Sequence, residues 1–130
     1  MSPARVLIVD DNALNVELVS FLLGAAGCEV AAAADAAVAA AQIPLFRPDL
    51  VLMDIQLPGI DGLTFTRRLK ADPATRHLVI VAFTAYAMKG DEERMRAAGC
   101  DGYLSKPIDV GTFASQVLSH LRPAAGDGAA

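Results

Sequence analysis

Four consecutive apolar residues, Leu50-Val51-Leu52-Met53, run without interruption into a carboxylate, Asp54, and shortly afterwards into Pro58-Gly59. A short unbroken apolar run bounded by turn residues suits a strand buried on both faces of a parallel sheet. Asp54 then arrives at the strand's C-terminal end, and Pro58-Gly59 fits the two central positions of a type II turn. In open α/β sheets that edge is where ligands and chemistry sit. The remainder of the chain must supply the neighbouring strands and the helices that cover them.

It does so in order. Val6-Leu7-Ile8-Val9 is a second apolar run, ending in Asp10-Asp11-Asn12, with Asn12 placed to cap the next helix. On that helix Leu14, Leu18, Phe21 and Leu22 share one face, and Val16, Val19 and Leu23 share nearly the opposite one. One face must meet the sheet; the other packs on a neighbouring helix or docks a partner. Gly27 stops the helix, Cys28 to Ala33 forms a weaker strand, and Asp35 caps an alanine-rich helix that Pro44 is expected to end or kink. After Gly59, Asp61 caps a helix through Lys70, whose basic end (Arg67, Arg68, Lys70) reads as a solvated face suited to the helix dipole.

Leu78 to Phe83 is the fourth strand, leading into Thr84. Asp91-Glu92-Glu93 opens the next helix and Gly99 closes it; Gly102 to Ser105 is a short fifth strand ending in Lys106-Pro107. Asp109 is expected to cap a last helix with Val110, Phe113, Ala114, Val117 and Leu121 at helical spacing, weakened at Gly111. Five strands alternating with five helices predict an α/β fold with a doubly wound five-stranded parallel sheet, for which 2-1-3-4-5 is a common strand order.

At 130 residues the chain is read as one domain over 1–121, followed by a Pro/Gly/Ala tail, 122–130, expected to be disordered. Eleven basic against fifteen acidic residues give a net charge of -4, which argues against a nucleic-acid partner. Apolar stretches fall short of the ~20 residues that span a bilayer, so the expectation is a cytoplasmic protein with no membrane partner. Cys28 and Cys100 lie at the sheet edge opposite Asp54 and read as small buried hydrophobes.

The strand ends bring together Asp10, Asp11, Asp54, Thr84 and Lys106. Clustered carboxylates repel and raise one another's pKa unless a cation sits among them. A hard divalent ion relieves this, and Mg²⁺ suits one or two carboxylates, waters and a substrate phosphate. A carboxylate so placed can accept a phosphoryl group as an aspartyl-phosphate, with Lys106 a point charge on one phosphoryl oxygen and the Thr84 hydroxyl a donor to another. His77 and His120 lie elsewhere and serve neither as base nor as ligand.

The acidic pair, Met53-Asp54 followed by Pro58-Gly59, Thr84 and Lys106-Pro107 stand in an order and spacing that resembles the CheY-like receiver domain of two-component response regulators, from Arg5 to Leu121. The resemblance implies a flavodoxin/CheY-like fold in which Asp54 takes a phosphoryl group from a histidine kinase or a histidine phosphotransfer domain. It implies Mg²⁺ held by Asp11, Asp54 and the backbone carbonyl of Gln56, with Asp10 acting through water, and a cis peptide before Pro107. It also implies a switch in which Thr84 moves inward, Tyr103 follows, and the face formed by the fourth helix, fifth strand and fifth helix changes for a protein target. Tyr86 is placed to shield the phosphoryl group. The stretch from Thr84 to Arg94 is most similar to stand-alone cell-division regulators of the DivK type, and similar stretches occur in receivers fused to hybrid kinases.

Three other readings compete. A haloacid-dehalogenase-type phosphatase needs a second Asp two residues after the nucleophile, where this chain has Gln56. A flavodoxin-like electron carrier would cradle a phosphate in the first loop, where Asp10-Asp11 repels it. A pseudo-receiver would lack reactive residues that are present here. With no output domain after Leu121, output is expected through protein contact, or as an intermediate in a phosphorelay, with no enzyme activity beyond assisting its own phosphorylation and dephosphorylation.

Overall fold

The computed structural model describes residues 3–85 and 89–121. Its elements are β1 (Arg5–Val9), α1 (Ala13–Ala25), β2 (Glu29–Ala33), α2 (Ala36–Phe46), β3 (Leu50–Asp54), α3 (Gly62–Ala71), β4 (Val79–Thr84), α4 (Lys89–Ala98), β5 (Gly102–Ser105) and α5 (Phe113–Ser119). Every pairing is parallel and the strand order is β2-β1-β3-β4-β5. Tyr86 and the 122–130 tail lie outside the described residues.

Strand alternation sorts the core into two layers. Val6, Ile8, Leu50, Leu52, Val81 and Phe83 face α1 and α5, where Val19, Leu23, Phe113 and Val117 meet them. Leu7, Val9, Val51, Met53 and Ile80 face the other way, onto Ala39 and Ile43 of α2 and Phe65 and Leu69 of α3. Ala82 packs with Leu63, Met95 and Ala98 under α3 and α4. Each fully buried Val, Leu, Ile or Phe side chain contributes roughly 1.5–3 kcal/mol, so β3, buried at all five positions, anchors the sheet.

Local signals fix the helix ends. The side chains of Asn12, Asp35 and Asp61 accept from Asn15, Val38 and Thr64 amides, capping α1, α2 and α3. Gly27, at φ 92°, ends α1 in a Schellman arrangement: its amide donates to Gly24 and the Cys28 amide to Leu23, both at 3.0 Å. Gly59 takes φ 76°, as a type II turn demands.

Four expectations are corrected. Pro44 does not end α2, which runs on to Phe46 and stops at Arg47 in the left-handed region; the proline removes its own N–H bond and crowds the carbonyl of Ala40, but the Arg47 amide still reaches Ile43 at 2.8 Å. Asp109 does not cap α5. Its Oδ1 accepts from the Gly111 amide in an Asx-type turn, the helix starts later at Phe113, and Val110 is left exposed. Lys70 is not a free solvated charge: it is half-buried, and its ammonium donates to the Leu78 carbonyl at 2.7 Å and to Asp101 at 3.0 Å. Of the two expectations for the second face of α1, packing on a neighbouring helix fails, because Leu14, Leu18 and Phe21 are exposed, while Leu22 turns towards the core with Val19 and Leu23.

Candidate functional site

Alternation also explains what gathers at the C-terminal edge. Asp10 continues the phase of Val6 and Ile8, Asp54 that of Leu50 and Leu52, and Lys106 that of Leu104, so all three share the face of Phe83. The ladder extends one residue beyond the strands: the Asp10 amide donates to Ala33 at 3.0 Å and the Lys106 amide to Thr84 at 2.8 Å. Asp10 and Asp54 are buried and Asp11 is exposed. Each offers an oxygen within 4.8 Å of the others, the acidic group among the described residues that could hold a metal.

The carboxylates are only partly satisfied. Asp54 Oδ1 accepts from the Gln56 amide at 2.9 Å, and Asp10 Oδ1 from the Asn12 amide at 2.9 Å. Asp10 Oδ2 is buried with no hydrogen-bond partner. Lys106 Nζ lies 3.5 Å from that oxygen and 3.7 Å from Asp54 Oδ2, distances that give attraction without a direct hydrogen bond. Its ammonium sits 4.9 Å from the centre of the Phe83 ring, which holds it over the edge from below. Burial pushes the Asp54 carboxyl above its ordinary pKa; the Gln56 amide and Lys106 pull it back, and Asp10 pushes it up again. An orphaned buried oxygen, an all-oxygen donor set and one exposed carboxylate through which waters can enter fit a hard divalent cation.

Thr84 is buried at the end of β4, one position beyond the Asp54–Phe83 pair. It shares the face of Ala82, whose partner across the ladder is Tyr103, so the two switch candidates sit diagonally on one side of the sheet. The Tyr103 hydroxyl donates to Glu92 on α4 at 2.8 Å, and this bond, followed by burial, raises the phenol's pKa. The Lys106–Pro107 peptide is cis. Gln56 contributes its amide to Asp54 while its side chain is exposed. His77 is exposed before β4, and His120 packs on Gly102 at the opposite edge, so neither joins the site.

Three supporting residues escaped the sequence reading. Gly62 is the first: a Cβ there would stand 2.3 Å from the Asp54 carbonyl oxygen and 2.7 Å from Ile55 Cα. A glycine directly after a helix cap, where the helix itself gains nothing from it, was the available signal. Phe83 lies in phase with Lys106 across the β4–β5 ladder, but an apolar strand residue gives no sign of a cation above it. Glu92 was read only as an acid suited to a helix start.

The response regulator receiver domain model matches residues 6–118. This chain belongs to that family. It is 47% identical over 119 residues to the polar-differentiation response regulator DivK of Brucella anthropi, covering 92% of this chain and 97% of that one. Among solved structures, a response regulator from Chloroflexus aurantiacus superposes with a TM-score of 0.86 at 35% identity, covering 92% of this chain and 98% of that one. The receiver domain of a sensor histidine kinase from Pseudomonas aeruginosa, with a magnesium ion coordinated in its active-site cleft, gives 0.82 at 32% identity, covering 92% and 98%. The chain is thus a receiver of the phosphoacceptor, two-component kind, and the DivK-type resemblance of the Thr84 to Arg94 stretch agrees with its relatives.

Proposed function

We propose that Asp54 is the phosphoacceptor of a cytoplasmic response regulator that signals through protein contact. The observation that carries this reading is the convergence of three carboxylates and one loosely held lysine at a single sheet edge. An Asp54 oxygen attacks the phosphorus of a phosphohistidine on a kinase or phosphotransfer domain; the P–N bond breaks and its electron pair stays on the imidazole nitrogen. Asp10, Asp11, Asp54 and the Gln56 backbone carbonyl are the groups that would hold Mg²⁺, which supplies charge neutralisation for the phosphoryl oxygens.

Lys106 is free to turn from the carboxylates to a phosphoryl oxygen because no hydrogen bond fixes it, and the Thr84 hydroxyl donates to another oxygen. The added charge, about -1.5 to -2, is what the buried edge must accommodate. Tyr103 exchanges its bond to Glu92 for a new position as Thr84 moves, which changes the surface of α4, β5 and α5. A cytoplasmic site of action is supported by the acceptor chemistry; among the described residues no helix is long and apolar enough to cross a membrane.

Intact mass after incubation with Mg²⁺ and a small-molecule phosphodonor tests the assignment. Wild type gains one phosphoryl group and Asp54→Asn gains none. Equal labelling of both proteins overturns the reading, and multiple turnover of a generic phosphate ester returns the phosphatase alternative.

A further inference from the structure

α2 presents an exposed apolar surface. None of its residues from Ala36 to Phe46 is charged. Its one hydrogen-bonding side chain, Gln42, donates to the Ala32 carbonyl at 3.0 Å and so turns to the sheet. The outward arc is Ala37, Ala41 and Pro44 with Val38 and Leu45, the last two 43% and 83% exposed. A helix that is apolar all round belongs under cover. Beside the arc, between α2 and α3, runs a groove of about 1180 Å³ floored by Ile43, Phe65 and Leu69.

The charges that line this groove decide what covers it. They include Arg47 and Arg68 against Asp49 and Asp72, an even balance on a chain whose net charge is -4. Neither guanidinium has a hydrogen bond or ion pair among the described residues. A site for an acidic or a basic partner would show one sign, whereas a two-fold interface needs a patch that complements itself. We propose that this face docks a second copy of the chain, α2 against α2 about a two-fold axis, with the arginines of each copy facing the aspartates of the other. Ala37 and Ala41, one turn apart, let the two helices approach closely.

Sedimentation velocity across a concentration series, with no metal and no phosphodonor present, tests this independently of Asp54 chemistry. Wild type shows a monomer–dimer equilibrium that weakens as salt rises. Leu45→Asp and the double variant Arg47→Asp/Arg68→Asp each weaken it at least tenfold, with circular dichroism confirming that both still fold. Mixing the double variant with Asp72→Arg restores association between the two. Phe21→Asp, on the exposed face of α1, leaves the equilibrium unchanged. A wild type that stays monomeric, or a dimer that ignores Leu45→Asp or is lost in Phe21→Asp, overturns the proposal.

Discussion

Both edges of the sheet set a lysine against carboxylate, and the two lysines are treated differently. At the N-terminal edge Lys70 donates to the Leu78 and Arg76 carbonyls at 2.7 and 3.4 Å and to Asp101 at 3.0 Å, and Asp101 in turn accepts from the Ile80 amide at 2.8 Å. Its stem lies so close to Gly99, at φ 107°, that a Cβ there would meet Lys70 Cγ at 2.8 Å. At the C-terminal edge Lys106 has two carboxylates within ion-pair range and bonds to neither, while a buried oxygen of Asp10 stays unpartnered. The first edge uses its charges to hold α3, β4 and β5 together. The second leaves its charges unsettled, which is the condition for receiving a charged group from outside, at some cost in stability.

Three measurements break or sharpen this contrast. The largest effect belongs to the backbone under the acidic edge. Gly62→Ala places a methyl against the Asp54 carbonyl and Ile55 Cα, and since backbone cannot swing aside, urea denaturation should show a loss of about 3 kcal/mol. A neutral result would mean that α3 does not fix the position of Asp54.

Next comes the pair of lysines. Lys70→Met should cost about 2 kcal/mol, because it leaves the Leu78 carbonyl without its charged donor. Lys106→Met breaks no hydrogen bond, so below the carboxylate range of pH it should cost less than about 1 kcal/mol; at pH 7 it also strips two buried carboxylates of their counter-charge, and the cost should be larger. Equal losses below that range would remove the distinction between the edges.

The smallest effect is on pH dependence. Asp54 has a raised pKa in the fold, so the folded chain holds this proton more tightly than the unfolded one. The residue is therefore harmless at pH values below its unfolded pKa, and its penalty grows as pH rises through the folded value. Asp54→Asn should stabilise the protein at pH 7, and that gain should vanish as the pH falls through the carboxylate range. Asp61, whose pKa is lowered chiefly by the Thr64 amide it caps, runs the opposite way: its contribution is present at neutral pH and lost on acidification. Thermal melts of Asp54→Asn and Asp61→Asn against wild type across pH 3 to 7 read the two slopes, and slopes of the same sign would contradict the assignment.

Much of the site was legible because strands impose a period of two. Once Leu52 and Ile8 are known to be strand residues, the directions of Asp54 and Asp10 follow, and the order of five strands brings Thr84 and Lys106 to the same edge. What stayed illegible depends on contacts between residues far apart in the chain. Lys70 stands 31 positions from Asp101, and nothing in a basic helix end separates a hydrogen-bonded fastener from a free surface charge. The expectation that α2 could end at Pro44 failed for a different reason: the proline's local cost is real, but tertiary packing of Ala39 and Ile43 carries the helix past it.

In water the two oxygens of a carboxylate are interchangeable, exchanged by a bond rotation. At Asp54 they are not, since Oδ1 is tethered to the amide of residue 56 while Oδ2 stands towards Lys106. The two oxygens therefore present different faces to whatever enters the edge, one fixed by main chain and the other turned to the lysine. Because that tether is made by backbone, proline at position 56, lacking the N–H, is the substitution that would remove it and restore the symmetry.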